Sequence, residues 1–303
     1  MKRKMKIAII GYGKMGHMIE DVARSRGHEI TCVIDTNPTP GEFYDRPLDA
    51  RSSGALHPSR EGAKYYTPDE GFQSEAFRSA DVAIEFTTPA TAKDNILRAG
   101  AQGVPVVCGT TGWIENLSPT LSSREGELGG RKGEWKIEES SNKVIVKDET
   151  GKVMLVWSSN YSVGVNIFFE LNKFLAEQMK NLTPMEFYDR PQDARSSRAL
   201  HSSREGEKSE GYTPSIKEIH HIHKLDKPSG TAKTLAEQIR ETDLSRYRDI
   251  EDIEIESVRE GEVPGTHEVT WDSEEDTIVI THIAKGRRGF ALGAVLAAEE
   301  IVG

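Results

Sequence analysis

Lys6-Ile7-Ala8-Ile9-Ile10-Gly11-Tyr12-Gly13-Lys14-Met15-Gly16 is the stretch that decides the fold. Its continuous apolar start reads as a short strand buried on both faces. A G-x-G-x-x-G turn follows at once, and residues 14–26 then carry Met15, Met18, Ile19, Val22 and Ala23 at helical spacing. Gly27 is placed to stop that helix. Between a strand and a helix the glycines have separate tasks. Gly11 permits the tight turn, Gly13 lets backbone approach a pyrophosphate, and Gly16 lets helix pack on strand. The helix N-terminus offers free N–H groups to phosphate. Residues 29–35 form a second strand ending in Asp35, about 20 residues past the last glycine, where an acid is expected to hold a ribose. A carboxylate there repels a 2′-phosphate, and Thr36 and Asn37 bring no compensating charge. NADH is therefore favoured, with Lys14 available to admit NADPH.

Outward from this unit, residues 81–86 read as a strand, 91–101 as a helix, and 104–108 as a strand ending in Gly109-Thr110-Thr111-Gly112. The alternation predicts an α/β fold, with an N-terminal Rossmann dinucleotide-binding domain whose parallel sheet is covered on both faces. Residues 115–149 turn polar and glycine-rich, and 144–146 with 153–156 resemble a β-hairpin around Asp148-Glu149-Thr150-Gly151. A strong helix at 165–179 follows. Then come an extended run at 216–224, a helix at 231–240, and strands at 253–258, 267–271 and 277–283. These predict a second α+β domain built on a mixed sheet. The expected division is 1–161 and 162–287, with a closing helix in 288–303 packing back on the first domain. Polar insertions are expected at about 42–66, 121–150 and 186–211. Within the first and third lies a repeat: EFYDRPLDARSS at 42–53 and EFYDRPQDARSS at 186–197 differ only at Leu48 against Gln192. Two distant copies in different settings do not make a solenoid. They read as polar sequence added to surface loops, where extra length costs little, and they are expected to be exposed and readily cut at their arginines.

The 303 residues suit two domains. The apolar share is low, 36%, but the deficit is local, with clean apolar runs alternating with long polar blocks, so it signals insertions on a folded core rather than general disorder. No apolar run approaches the ~18 residues of a membrane span, and the N-terminus leads straight into a strand without a signal-like core. Cys32 and Cys108 are the only cysteines, both inside apolar runs, which excludes a disulfide framework and fits a cytoplasmic setting. A net charge of −10 argues against nucleic-acid or acidic-membrane binding. An anionic substrate must then be met by local cations.

Those cations occur in Glu218-Ile219-His220-His221-Ile222-His223-Lys224-Leu225-Asp226-Lys227-Pro228-Ser229-Gly230-Thr231-Ala232. The spacing puts His220 and Lys224 on one side in either a strand or a helix. A neighbouring ammonium lowers an imidazole's pKa and a bound anion raises it, which suits proton donation near neutrality. Ser229-Gly230-Thr231 opens a helix whose N–H groups can hold a carboxylate. Two other readings stand beside this one. Three histidines in close order admit a metal, but His220 and His221 diverge in a strand and no partner stands at finger-like spacing, so no metal is expected. The plain structural alternative is a solvated loop with a helix cap.

This run resembles the signature of the 4-hydroxy-tetrahydrodipicolinate reductase (dihydrodipicolinate reductase) family. Gly11–Gly16, Glu85-Phe86-Thr87-Thr88-Pro89, Gly109-Thr110-Thr111-Gly112, Ser159-Asn160-Tyr161-Ser162-Val163-Gly164-Val165-Asn166, Val258-Arg259-Glu260-Gly261 and Gly265-Thr266-His267 are similar to its other motifs. So are Arg287, Phe290 and Gly293-Ala294-Val295. The resemblance implies hydride transfer from NAD(P)H to a cyclic unsaturated imine dicarboxylate, in the diaminopimelate route to lysine. It implies His220 as proton donor with Lys224 as partner. His221, Lys224, Ser229, Gly230 and Thr231 are implied at the substrate. The cofactor is implied at Gly11, Gly13, Lys14, Met15, Gly16 and Asp35, together with Thr87, Gly109, Thr110, Thr111, Asn160 and Arg287. It also implies a homotetramer formed through the second domain's sheet. Residues 113–158 depart from the family pattern, which has a crossover helix and a short strand there. Two rival functions remain: another amino-acid-pathway dehydrogenase such as aspartate dehydrogenase, and a nucleotide-binding protein without catalysis.

Overall fold

In a computed structural model, residues 3–37, 63–113, 127–128, 131–132, 135–140, 142–182, 211–243, 246–247 and 249–303 are described. They fall into two units, Met1–Val163 with Gly286–Gly303, and Gly164–Lys285.

The first unit grows from β1 (Lys6–Ile10). Successive side chains point to opposite faces of a strand, so Ile7 and Ile9 enter one core cluster while Ala8 and Ile10 enter another. Two-sided burial explains why the strand reads as continuously apolar. The chain continues through α1 (Lys14–Ser25), β2 (Glu29–Ile34), β3 (Lys64–Tyr66), α2 (Pro68–Gly71) and α3 (Glu75–Arg78). Then come β4 (Val82–Glu85), α4 (Pro89–Ala101), β5 (Val106–Cys108) and a small ladder of β6 (Glu127–Leu128) with β7 (Arg131–Lys132). β8 (Lys136–Ser140), β9 (Lys143–Lys147) and β10 (Val153–Ser158) follow, and the last helix, α7 (Arg288–Val302), returns to this unit. The sheet order is β3-β2-β1-β4-β5-β10-β9-β8. Ile19, Val22 and Ala23 of α1 and Ala291, Ala294, Val295 and Ala298 of α7 cover one face. Phe72, Phe77, Ala92, Ile96 and Ala99 cover the other. Each fully buried large aliphatic side chain contributes roughly 1.5–3 kcal/mol. Arg26, at the C-cap of α1, holds Glu299 of α7 through two hydrogen bonds of 2.7 and 2.9 Å, and His28 Nε2 lies 2.9 Å from the same carboxylate.

The hairpin expected at 144–146 and 153–156 is present: β9 and β10 pair antiparallel, and Asp148 Oδ1 accepts the N–H of Thr150 at 2.9 Å and of Lys152 at 3.0 Å in the turn. Within the insertion expected at 121–150, however, β8 and β9 extend the main sheet. Their alternation was masked because β8 is exposed throughout, a charged outer strand that blunts the sheet edge. Residues 64–66 of the expected first insertion form edge strand β3, paired with β2. Both copies of the repeat, with the expectation of exposure and easy cleavage, lie outside the described residues.

The second unit begins along α5 (Val163–Leu182) and contains β11 (Thr213–His220), α6 (Gly230–Thr242), a single 3-10 turn at Ile250–Asp252, β12 (Glu254–Arg259), β13 (Thr266–Asp272) and β14 (Thr277–Ile283). The sheet order is β12-β11-β13-β14, with β11 parallel to β12 and antiparallel to β13, so the sheet is mixed. Phe168, Phe169, Ala176 and Met179 of α5, and Ala232, Leu235, Ala236 and Ile239 of α6, pack with Ile216, Val269 and Trp271 of the sheet.

Candidate active site

In the first unit, six parallel strands end at one edge, and expected cofactor residues follow the ends of β1, β2, β4, β5 and β10. Gly11 has φ +91°, and a Cβ there would lie 2.2 Å from the Phe86 carbonyl oxygen, so only glycine fits. A Cβ at Gly16 would lie 2.2 Å from the carbonyl oxygen of Gly11, which is the close helix–strand approach. Gly13 differs: it caps α1 without a side-chain hydrogen bond, and a Cβ there would meet nothing within 4 Å. With no acid in the first turn of α1, the N-terminus is an open cradle suited to a pyrophosphate. Asp35 is held beside this turn, Oδ2 accepting the Tyr12 N–H at 2.5 Å and Oδ1 the Asn37 N–H at 2.9 Å. Lys14 is exposed, and Met15 packs partly against the core.

Thr87 N donates to Thr110 Oγ1 at 2.9 Å, joining the loops after β4 and β5. The indole N–H groups of Trp113 and Trp157 donate to the Thr110 carbonyl at 2.6 and 2.8 Å, which fixes the loop holding Gly109 and Thr111. Asn160, just past β10, accepts the Ser162 N–H at 2.8 Å. Arg287 is exposed at the N-cap of α7. Beneath these loops the buried Glu85 carboxylate accepts from the Thr87 hydroxyl and, at 2.9 Å, from the Cys108 thiol. Burial first, then the Glu85 charge, pushes the Cys108 thiol up, so it is not a nucleophile.

In the second unit, β11 alternates strictly, with Pro214, Ile216, Glu218 and His220 on its buried face. Glu218 is fully buried. Its cross-strand neighbours are Ser257 of β12 and His267 of β13, while Arg259 is opposite His220. Glu218 Oε1 accepts the Ser229 N–H at 3.0 Å and Arg259 Nη2 at 3.1 Å. Burial alone would raise this carboxyl, yet His220, Ser229 and Ser257 around it hold it well below the usual carboxylate range. His267 is pushed down to about 3, by burial and then by His220, and is neutral at neutral pH. Its Nε2 lies 3.2 Å from Ser229 Oγ. Ser229 caps α6, its Oγ accepting the Ala232 N–H at 3.2 Å. The N–H groups of Gly230 and Thr231 belong to that first turn, where no acid stands.

Lys224 shares neither strand nor helix with His220, which is a correction. β11 ends at His220, and the chain turns, Lys224 N donating to the His221 carbonyl at 3.1 Å. Lys224 Nζ instead pairs with Asp226 Oδ1 at 2.8 Å. Arg259 clamps the turn, donating from Nε to the Lys224 carbonyl at 3.2 Å and from Nη2 to that of Asp226. His223 is exposed beside Glu262, and His221 is half-buried.

Sequence reasoning quoted Glu218, Arg259 and His267 without giving them work in the site. The available signal was a charged residue in phase with apolar ones along β11. Glu218, His220 and His267 bring an oxygen and two ring nitrogens within 4.8 Å of one another, a donor set of metal-ligand type. The Arg259 guanidinium already neutralises that carboxylate, which makes the cluster an ion-pair hub instead.

The family model for the dihydrodipicolinate reductase N-terminus matches residues 5–129, and that for the C-terminus matches 200–303. A 4-hydroxy-tetrahydrodipicolinate reductase of Christiangramia forsetii is 34% identical over 301 residues, covering 97% of this chain and 91% of that protein. One of Acinetobacter baumannii is 29% identical over 319 residues, covering 100% and 93%. Among solved structures, the dipicolinate-bound dihydrodipicolinate reductase from Paenisporosarcina sp. TG-14 is similar with a TM-score of 0.62 at 18% identity, covering 99% of this chain and 95% of that one. At that identity the likeness speaks for the fold, while the matched motifs and the 34% identity speak for the lineage. The chain belongs to the dihydrodipicolinate reductase family.

Proposed function

We propose that the chain reduces the cyclic unsaturated imine dicarboxylate derived from 4-hydroxy-tetrahydrodipicolinate to tetrahydrodipicolinate, using NAD(P)H, in lysine and diaminopimelate biosynthesis. One observation carries the residue-level reading: Glu218 anchors Ser229, so the end of β11 that carries His220 is joined to the N-terminus of α6. A proton donor, cations and the N–H groups of a helix N-terminus are thereby gathered where an anionic substrate needs them.

The open turn at Gly13, with Gly11, Lys14, Met15 and Gly16, would hold the cofactor pyrophosphate, and Asp35 the adenosine ribose. Thr87, Gly109, Thr110, Thr111, Asn160 and Arg287 would line its nicotinamide portion. When bound, the reduced nicotinamide supplies a hydride. His220 donates a proton from Nε2 as negative charge develops on the substrate's conjugated ring. The Lys224 ammonium and His221 stabilise that charge. The Ser229 hydroxyl and the N–H groups of Gly230 and Thr231 hold a substrate carboxylate. NADH serves at least as well as NADPH, because the Asp35 carboxylate, fixed by two backbone N–H groups, confronts a 2′-phosphate.

A homotetramer through the second sheet is supported by the face turned away from α5 and α6, where Val279 and Ile283 are 49% and 64% exposed. A cytoplasmic setting is supported by two free, buried cysteines. No helix among the described residues is long and apolar enough to cross a membrane. The deciding assay supplies the upstream aldolase product and follows oxidation of the reduced cofactor. Turnover is expected. Cofactor binding without turnover would favour a non-catalytic nucleotide-binding protein. Turnover of oxaloacetate with ammonia instead would favour an aspartate dehydrogenase.

A further inference from the structure

We propose that Glu218 is a positioning residue of this reaction: it holds the His220 ring by Nδ1, leaving Nε2 to donate, and ties that ring to the cap of α6 and to Arg259. The proposal rests on the assignment of His220 as proton donor.

Strand register builds the arrangement. Glu218 and His220 alternate onto the same buried face of β11. Glu218 has its Oε1 committed to Ser229 N and Arg259 Nη2. Its Oε2 is buried and has no hydrogen-bond partner among the described residues, and the same is true of His220 Nδ1. These two orphans lie 3.3 Å apart. Buried polar atoms are almost always paired, so a donor and an acceptor left facing each other indicate a contact that closes with a small turn of the ring. Such a contact fixes the tautomer, putting the Nδ1 proton on the carboxylate side. Nε2 is on the other side of the ring, packed over Gly265. Gly265 has φ +148°, and a Cβ there would come within 3.1 Å of Nε2. A side chain at this position would crowd that nitrogen, and glycine leaves room beside it.

The charged and titratable groups around His220 come from every neighbouring element. Glu218 is on its own strand, Arg259 on β12 and His267 on β13, with His282 of β14 beyond it; Lys224 and Asp226, paired with each other, stand in the turn that follows His220. His267 packs edge-on against His220 with centroids 4.9 Å apart and is neutral, so it brings no second imidazolium to compete for the Glu218 carboxylate that faces His220 Nδ1.

The test compares Glu218→Gln with Glu218→Asp and His220→Ala. Glu218→Gln is expected to lower kcat at least about 10-fold, as when a histidine loses its orienting carboxylate, with little change in cofactor affinity. Its kcat–pH profile should move along the pH axis, and Glu218→Asp should recover part of the rate. An inactive His220→Ala beside a Glu218→Gln enzyme of wild-type kcat and pH profile overturns this proposal and leaves the site assignment standing. A fully active His220→Ala overturns both. Nitrogen NMR of histidine-labelled wild-type protein gives an answer that needs no folded variant: Nδ1 of His220 should be protonated, and a neutral ring with Nδ1 bare overturns the proposal.

Discussion

At the residue scale, His220→Ala should lower kcat by ~10²–10⁴-fold, the usual cost of one positioned acid, while cofactor affinity stays near wild type; steady-state kinetics beside cofactor titration separates the two. Lys224→Ala should weaken both substrate binding and turnover. It also frees Asp226, whose carboxyl is held low, against the effect of burial, by the Lys224 ammonium. Asp35→Ala should shift preference toward NADPH, read as the ratio of kcat/KM for the two cofactors. A native enzyme with strong NADPH preference would remove Asp35 from the ribose. His267 governs acid behaviour. Its native pKa of about 3 lies below the ordinary imidazole value of 6.5, so the unfolded chain takes up a proton that the native state refuses. Stability is therefore lost as pH falls from about 6.5 toward about 3, at up to ~1.4 kcal/mol per pH unit. Urea unfolding across that range should show the slope, and His267→Gln should flatten it.

At the scale of elements, α7 is held by contact rather than by propensity. A Cβ at Gly293 would lie 1.5 Å from the Tyr161 carbonyl oxygen, so helix and backbone touch directly. Tyr161 is itself fixed, its hydroxyl donating to the Val156 carbonyl at 2.8 Å and the Cys108 carbonyl at 3.1 Å. Gly293→Ala should therefore destabilise the first unit by about 1–3 kcal/mol or more, measured as a fall in Tm with cofactor binding weakened in parallel. Elements whose code is local were legible. The end of α1 follows from Gly27, which takes φ +87° after the Arg26 C-cap. The β9–β10 turn follows from Asp148 and Gly151. Edge strands β3 and β8 were not legible, because a strand with one free edge and an exposed face carries little apolar pattern.

At the scale of the molecule, the exposed apolar residues on β14 predict association: light scattering on the purified chain should give a tetramer mass, and Ile283→Glu should lower it. A monomer at micromolar concentration would count against the second sheet as an interface. The dinucleotide-binding unit, the mixed-sheet second unit and the run from Glu218 to Thr231 could be read before any coordinates, since each is written in adjacent residues by period, turn chemistry and helix capping. The sequence also placed Ser229 at a helix start, as observed, whereas the extended run it carried on to Lys224 stops at His220. What surrounds them follows from the folded chain alone. Ser257, Glu218, His267 and His282 form one row across four strands through pairing register, and Arg259 reaches back over the turn to Lys224 and Asp226. Those residues are far apart in the chain, and no local periodicity encodes their meeting. Register and burial bring them together, and the same burial keeps Glu218 ionised through its partners and His267 neutral.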